Sequence, residues 1–140
     1  MPFLSIYNAD IEFRLRDKRK LESWLKLAIE GYKKQAESLN IVFCSDEYLH
    51  KMNVDFLQHD DYTDIITFDY CEGKVLKGEL YISLDRVKEN AKSFGVSFKN
   101  ELHRVIIHGV LHLLGHKDKA PGEQKKMRAE EDRLLNLRAF

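Results

Sequence analysis

His108 and His112 stand four positions apart in the apolar run Val105–Leu114, and Gly115 closes that run. On a helix, side chains at i and i+4 lie on one face with Cβ atoms about 5–6 Å apart, so the two imidazoles can aim nitrogens at one point. Gly115 suits the left-handed residue that ends a helix, and a stop there swings His116 or Asp118 back toward the pair. A third ligand is thus available from either residue. Three protein ligands leave an open coordination position of the catalytic type, and zinc fits the imidazole pair.

What stands between the histidines narrows the chemistry. Position 109 is Gly, where the His-Glu-x-x-His metalloproteases carry a glutamate as general base, so amide hydrolysis by that route is disfavoured. The simpler route is a water whose pKa the metal lowers. Gly109 leaves room for another segment to approach the helix closely.

The motif His108-Gly109-x-Leu111-His112-Leu113-x-Gly115, with the polar turn after it, resembles the signature of the YbeY family, bacterial single-domain metalloproteins described as endoribonucleases. Two further segments agree. Asn53–Phe68, ending in Tyr62-Thr63-Asp64-Ile65-Ile66-Thr67-Phe68, is similar to the family's Pro-Thr-Asp-Val-Leu-Ser-Phe stretch, and Gly78-Glu79-Leu80-Tyr81-Ile82-Ser83 is similar to its Gly-Asp-Ile-x-Ile-Ser strand.

The resemblance implies a metal-dependent endoribonuclease specific for single strands, acting in small-subunit ribosomal RNA maturation and ribosome quality control. The implied partner is ribosomal RNA or the small ribosomal subunit, with no DNA and no membrane. It assigns the metal, expected as one zinc per chain with another divalent transition metal as the alternative, to His108, His112 and Asp118, because Asp118 holds the position of the family's third histidine. Thr63 and Asp64 are expected near the cleft. Asp64 either orients a ligand or caps backbone.

Leu57 stands where the family usually has an arginine facing the metal cavity. Lys51, His50, His59 and Arg104 are the nearby cations, each read as an ordinary solvated residue, so no catalytic cation is assigned. The alternative function is a non-catalytic ribosome-assembly or RNA-binding protein with a structural metal, which a closed site using both His116 and Asp118 would favour.

With 140 residues the chain is expected to form one domain spanning residues 1–140. Its 23 basic and 23 acidic residues cancel, so an RNA-cleaving chain would have to gather positive potential locally. Arg14, Arg16, Lys18, Arg19 and Lys20 form a basic run, read as a solvated helix start, whereas Asp60, Asp61, Asp64 and Asp69 make the middle acidic. Cys44 and Cys71 fit neither a zinc ribbon nor a disulfide framework and read as buried thiols. No signal-peptide pattern or bilayer-length apolar stretch is present, so a cytoplasmic location is expected.

Apolar periodicity gives the fold. Phe3–Tyr7 and Ile11–Leu15 alternate as strands do, and at least one should be a strand. Asp17 should cap a helix carrying Leu21, Trp24, Leu25, Ala28 and Tyr32. Asn40–Cys44 reads as a buried strand, followed by a helix capped at Ser45 that buries Leu49 and Met52 and ends near Asn53. Ile65–Tyr70 and Leu76–Leu84 should pair antiparallel around Glu72-Gly73-Lys74.

Asp85 should open a helix with Val87, Ala91 and Phe94 inward and Gly95 as its stop. Ser97 should cap the histidine helix, which packs Phe98, Leu102, Val105, Ile106, Gly109 and Leu113. Pro121 should start a last helix over Met127, Leu134 and Leu137. Together these give an α+β, mixed α/β fold, a small mixed sheet of about four strands covered by helices.

Overall fold

The computed structural model describes residues 2–59 and 62–140. Among them, β1 (Leu4–Asn8), β2 (Gln35–Cys44), β3 (Ile65–Asp69) and β4 (Val75–Ser83) form one sheet in the order β1-β2-β4-β3. β1 and β4 run parallel to β2, whereas β3 runs antiparallel to β4. Five helices complete the α+β domain: α1 (Lys18–Gly31), α2 (Asp46–Leu57), α3 (Leu84–Phe94), α4 (Phe98–Leu113) and α5 (Pro121–Asn136). The expected mixed sheet, hairpin and helix cover are all present. Asp60 and Asp61, part of the expected acidic run, lie outside the described residues.

The main core joins β2 and β4 to α1 and α4. Leu39, Ile41 and Phe43 from β2 and Leu80 and Ile82 from β4 are fully buried with Leu21, Leu25, Ile29, Ile106 and Val110. Burial on this scale is the dominant stabilising term. Trp24 adds direction to the packing, because its indole N–H donates to the Leu134 carbonyl at 2.8 Å and ties α1 to α5. Cys44, Leu49 and Ile66 form a smaller cluster, with Met52 half-buried against it.

Two glycines let α4 lie directly on the sheet. A Cβ on Gly109 would stand 2.7 Å from Ile65 Cδ1 and 2.8 Å from Leu80 Cδ2. One on Gly78 would meet Leu113 Cδ1 at 2.7 Å and the Phe68 carbonyl at 2.9 Å. The close approach expected at Gly109 is therefore real.

Several expectations need correction. Of the two alternating runs, Phe3–Tyr7 supplies β1, as the expectation of at least one strand required, and Ile11–Leu15 is not a strand. Ile11, Phe13 and Leu15 do pack on the core in alternation with exposed neighbours, with the Phe13 ring 5.0 Å from that of Phe43, but alternation needs only an extended chain, whereas a strand needs a ladder partner. Asp17 precedes α1 without a side-chain cap, since its backbone is left-handed at φ 58°. β2 begins at Gln35, earlier than expected, because Gln35 and Ala36 pair with Val75 and Leu76.

α2 runs to Leu57, beyond Asn53, whose carbonyl accepts from the backbone of Gln58 and His59. Ser83, not Asp85, caps α3 by accepting from Arg86 N. Phe94 and Leu137 are exposed, not inward: Phe94 is the last residue of α3 and Leu137 the first after α5. Cys44 is buried as expected, but Cys71 is only half-buried, just past the end of β3. Burial pushes the Cys44 thiol up to about 12.

Candidate metal centre

The end of α4 builds the site. Ser97 caps its start by accepting from Asn100 N at 3.0 Å. At its other end His116 N donates to Leu111 O and Gly115 N to His112 O, with Gly115 at φ 102°. This pair of bonds is the Schellman arrangement. It turns the chain back across the last helical turn and brings Asp118 to the histidines.

Three donor atoms then form a nearly equilateral triangle. His108 Nε2 lies 3.1 Å from His112 Nε2, and Asp118 Oδ2 lies 3.2 Å and 3.3 Å from these two nitrogens. Ligands about 2.0–2.1 Å from a tetrahedral zinc stand roughly 3.3 Å apart, so the triangle matches one face of such a site. Among the described residues these three form the one group of His, Cys, Asp or Glu able to hold a metal ion.

The opposite ring nitrogens are already engaged. His108 Nδ1 pairs with Glu131 Oε2 at 2.6 Å, and His112 Nδ1 with the His116 carbonyl at 3.1 Å. A ring that donates from Nδ1 keeps its Nε2 lone pair for a metal. Glu131 is itself fixed, because its other oxygen accepts from Arg104 at 2.8 Å while Arg104 also reaches Asp132 at 2.6 Å. Burial opposes charge on His108, but the hydrogen bond and charge of Glu131, with Asp118 and Asp64, lift its pKa above the ordinary histidine value. Burial likewise pushes Glu131 upward, and His108 and Arg104 outweigh it to hold the carboxyl below its usual range.

His116 takes no part in the triangle. Its Nε2 lies 2.8 Å from the Tyr32 hydroxyl, which also donates to Glu130, so its ring is held by α1 and α5. Thr63 and Asp64 line a cleft of about 850 Å³ that includes His108, His112 and Asp118. Asp64 makes no hydrogen bond to those three among the described residues. Its backbone carbonyl accepts from Ser83 N, and its side chain lies 3.4 Å from Asn90 Nδ2. Burial raises its pKa, against the pull of His108.

Leu57 lines the same cleft, as do His59 and Lys119, which face Asp64, Asp69 and Asp118. The positive potential expected there is therefore absent from the side chains alone. Arg104, read from sequence as solvated, is instead held by two carboxylates, and His50 stacks on Tyr62 with ring centroids 4.2 Å apart. Glu131 was not singled out from the sequence. Its spacing of four from Met127 and three from Leu134, which puts it on the buried face of α5, was the available signal.

The fold and this donor face define an α+β protein with three side chains at a helix end that could hold a metal ion. The Endoribonuclease YbeY family model matches residues 5–138, and the chain belongs to that family. Relatives named Endoribonuclease YbeY include one from Cytophaga hutchinsonii, 49% identical over 96% of this chain and 94% of its own. Another, from Flavobacterium johnsoniae, is 45% identical over 94% of each chain. A third, from Bacteroides thetaiotaomicron, is 50% identical over 86% of this chain and 88% of its own. The solution structure of a Thermotoga maritima protein superposes with a TM-score of 0.65 at 25% identity, covering 95% of this chain and 87% of that one.

Proposed function

We propose that this chain is a metal-dependent endoribonuclease that cuts single-stranded RNA during small-subunit ribosomal RNA maturation and ribosome quality control, with His108, His112 and Asp118 holding one zinc ion. The observation that carries the reading is the triangle of two Nε2 atoms and one carboxylate oxygen, 3.1–3.3 Å on a side, beside an open cleft. Family membership supports RNA as the substrate.

The bound ion would supply positive charge for a phosphoryl oxygen and lower the pKa of a water in its open position. The residues do the rest. Glu131 and the His116 carbonyl hold the two imidazoles in the tautomer that presents Nε2. The Schellman turn positions Asp118, and Leu113, Ile65 and Ile66 give the cleft an apolar floor. Lys119 and the His59 ring are the side chains available to donate to phosphate there.

A second reading, a non-catalytic RNA-binding or ribosome-assembly protein with a structural metal, is favoured by Leu57 lining the cleft. The placement of His116 on Tyr32 weighs against the closed four-ligand site that this reading would use. Elemental analysis of protein purified without chelator, beside cleavage of a single-stranded oligoribonucleotide with and without chelator, separates the two. One zinc per chain with chelator-sensitive cleavage is expected. A full complement of metal with no cleavage would establish the structural reading.

A further inference from the structure

A second cavity, of about 330 Å³, meets the cleft at the triangle, since His108, Asp118 and Asp64 line both. Its other walls come from α3, α4 and α5 and include Asn90, Phe94, Glu101 and Arg128. Glu101 is the anomaly. It is 4% exposed, yet its carboxylate has no hydrogen-bond or ion-pair partner among the described residues. Every fully buried side-chain nitrogen or oxygen among those residues does have a partner, so the unpaired oxygens of Glu101 are ones that open on to the cavity. Oxygens placed this way are acceptors ready for a donor that enters the cavity.

The position limits what that something is. Glu101 and His108 are seven residues apart on α4, which at 1.5 Å per residue is about 10 Å along the helix. Glu101 also lies outside the group of metal-range donors. It is therefore too distant to share the ion and well placed for a group hanging from a phosphate held at the triangle. Phe94, at the cavity wall and 58% exposed, offers a ring face. Bases taken out of a strand are held in this way, by stacking and by hydrogen bonds to the Watson–Crick edge.

Resting on the RNA-cleaving reading above, we propose that this cavity is a nucleobase subsite for a guanine beside the scissile bond, whose N1–H and N2–H both donate to the Glu101 carboxylate. Guanine alone among the four bases presents two adjacent donors on that edge. Burial, then the charge of Asp64, raises the Glu101 pKa, and Arg104 and Arg128 pull it back toward the ionised carboxylate that this pairing needs. Cytosine and adenine each offer one donor beside an acceptor, and uracil one donor between two acceptors.

The test uses zinc-loaded protein and single-stranded oligoribonucleotides identical except for one guanine, replaced by inosine, which lacks the N2 amine, or by adenine. A bidentate pair of this kind discriminates roughly tenfold or more. Wild type should cut beside guanine at least about tenfold faster than beside adenine, with inosine between them. Glu101→Gln should lose that order while keeping its zinc and its cleavage of adenine-containing strands. Equal rates at all three bases in the wild type, or an unchanged order in Glu101→Gln, would overturn the proposal. If no RNA is cut at all, the function fails but the subsite is still decided by titrating GMP and AMP into the protein and following the NMR signals of Asn90, Phe94 and Glu101. Shifts with GMP alone support it, and shifts with neither or equally with both overturn it.

Discussion

At the scale of single residues, orientation matters as much as donor identity. His108 and His112 were legible from their spacing, because helix geometry alone brings them together. Asp118 and His116 were not separable by spacing, since both follow the helix stop. The choice depends on a long-range contact, the Tyr32 hydroxyl that takes the His116 ring. Asp118→Ala should therefore lose stoichiometric zinc, and His116→Ala should retain it, with binding measured by competition against a chromogenic chelator. The reverse pattern would reassign the third ligand. Glu131→Gln should weaken zinc binding about 10- to 100-fold, the usual effect of removing a partner that orients a ligating histidine.

At the scale of elements, α4 carries both the packing and the site, so its seat on the sheet governs both. Gly109 was legible as a close-approach position, but which atoms approach could not be, because Ile65 and Leu80 come from β3 and β4. Gly109→Ala gains about 1 kcal/mol in helix propensity and incurs about 1–3 kcal/mol of overpacking against those side chains. Net destabilisation of up to about 2 kcal/mol in urea unfolding is expected. The same reason explains why sequence could not tell which of Phe3–Tyr7 and Ile11–Leu15 is the strand, since alternation is local while a ladder partner is not.

α4 also carries His103, buried and accepting at Nδ1 from Arg138 at 2.7 Å. Burial, then the charge of Arg138, lowers its pKa from 6.5 to about 4. The unfolded chain gains a proton between those values that the folded one refuses, so stability falls as pH drops from 6.5 toward 4, by about 3 kcal/mol. His103→Gln should flatten that part of the pH–stability curve, and a slope equal to wild type would contradict the assignment.

At the scale of the whole molecule, the zero net charge was legible at once, and its consequence for the cleft was not. No helix among the described residues is long and apolar enough to cross a membrane. The cleft offers the lysine Lys119 and the imidazole of His59 against three carboxylates, so much of the attraction for phosphate has to come from the ion. RNA affinity should fall with salt only gently, with a log–log slope of about −1.4 for two phosphate contacts on single strands, and Lys119→Ala should reduce it by about 0.7. A slope of zero over a tenfold range of salt would argue against an RNA substrate. The most direct measurement is the RNA-cleavage rate of chelator-stripped protein as zinc is titrated back. It should rise from near zero and level off at one equivalent per chain, and stay near zero at every concentration in Asp118→Ala. Stripped protein that cleaves as fast as the untreated enzyme would contradict a metal-centred ribonuclease built on His108, His112 and Asp118.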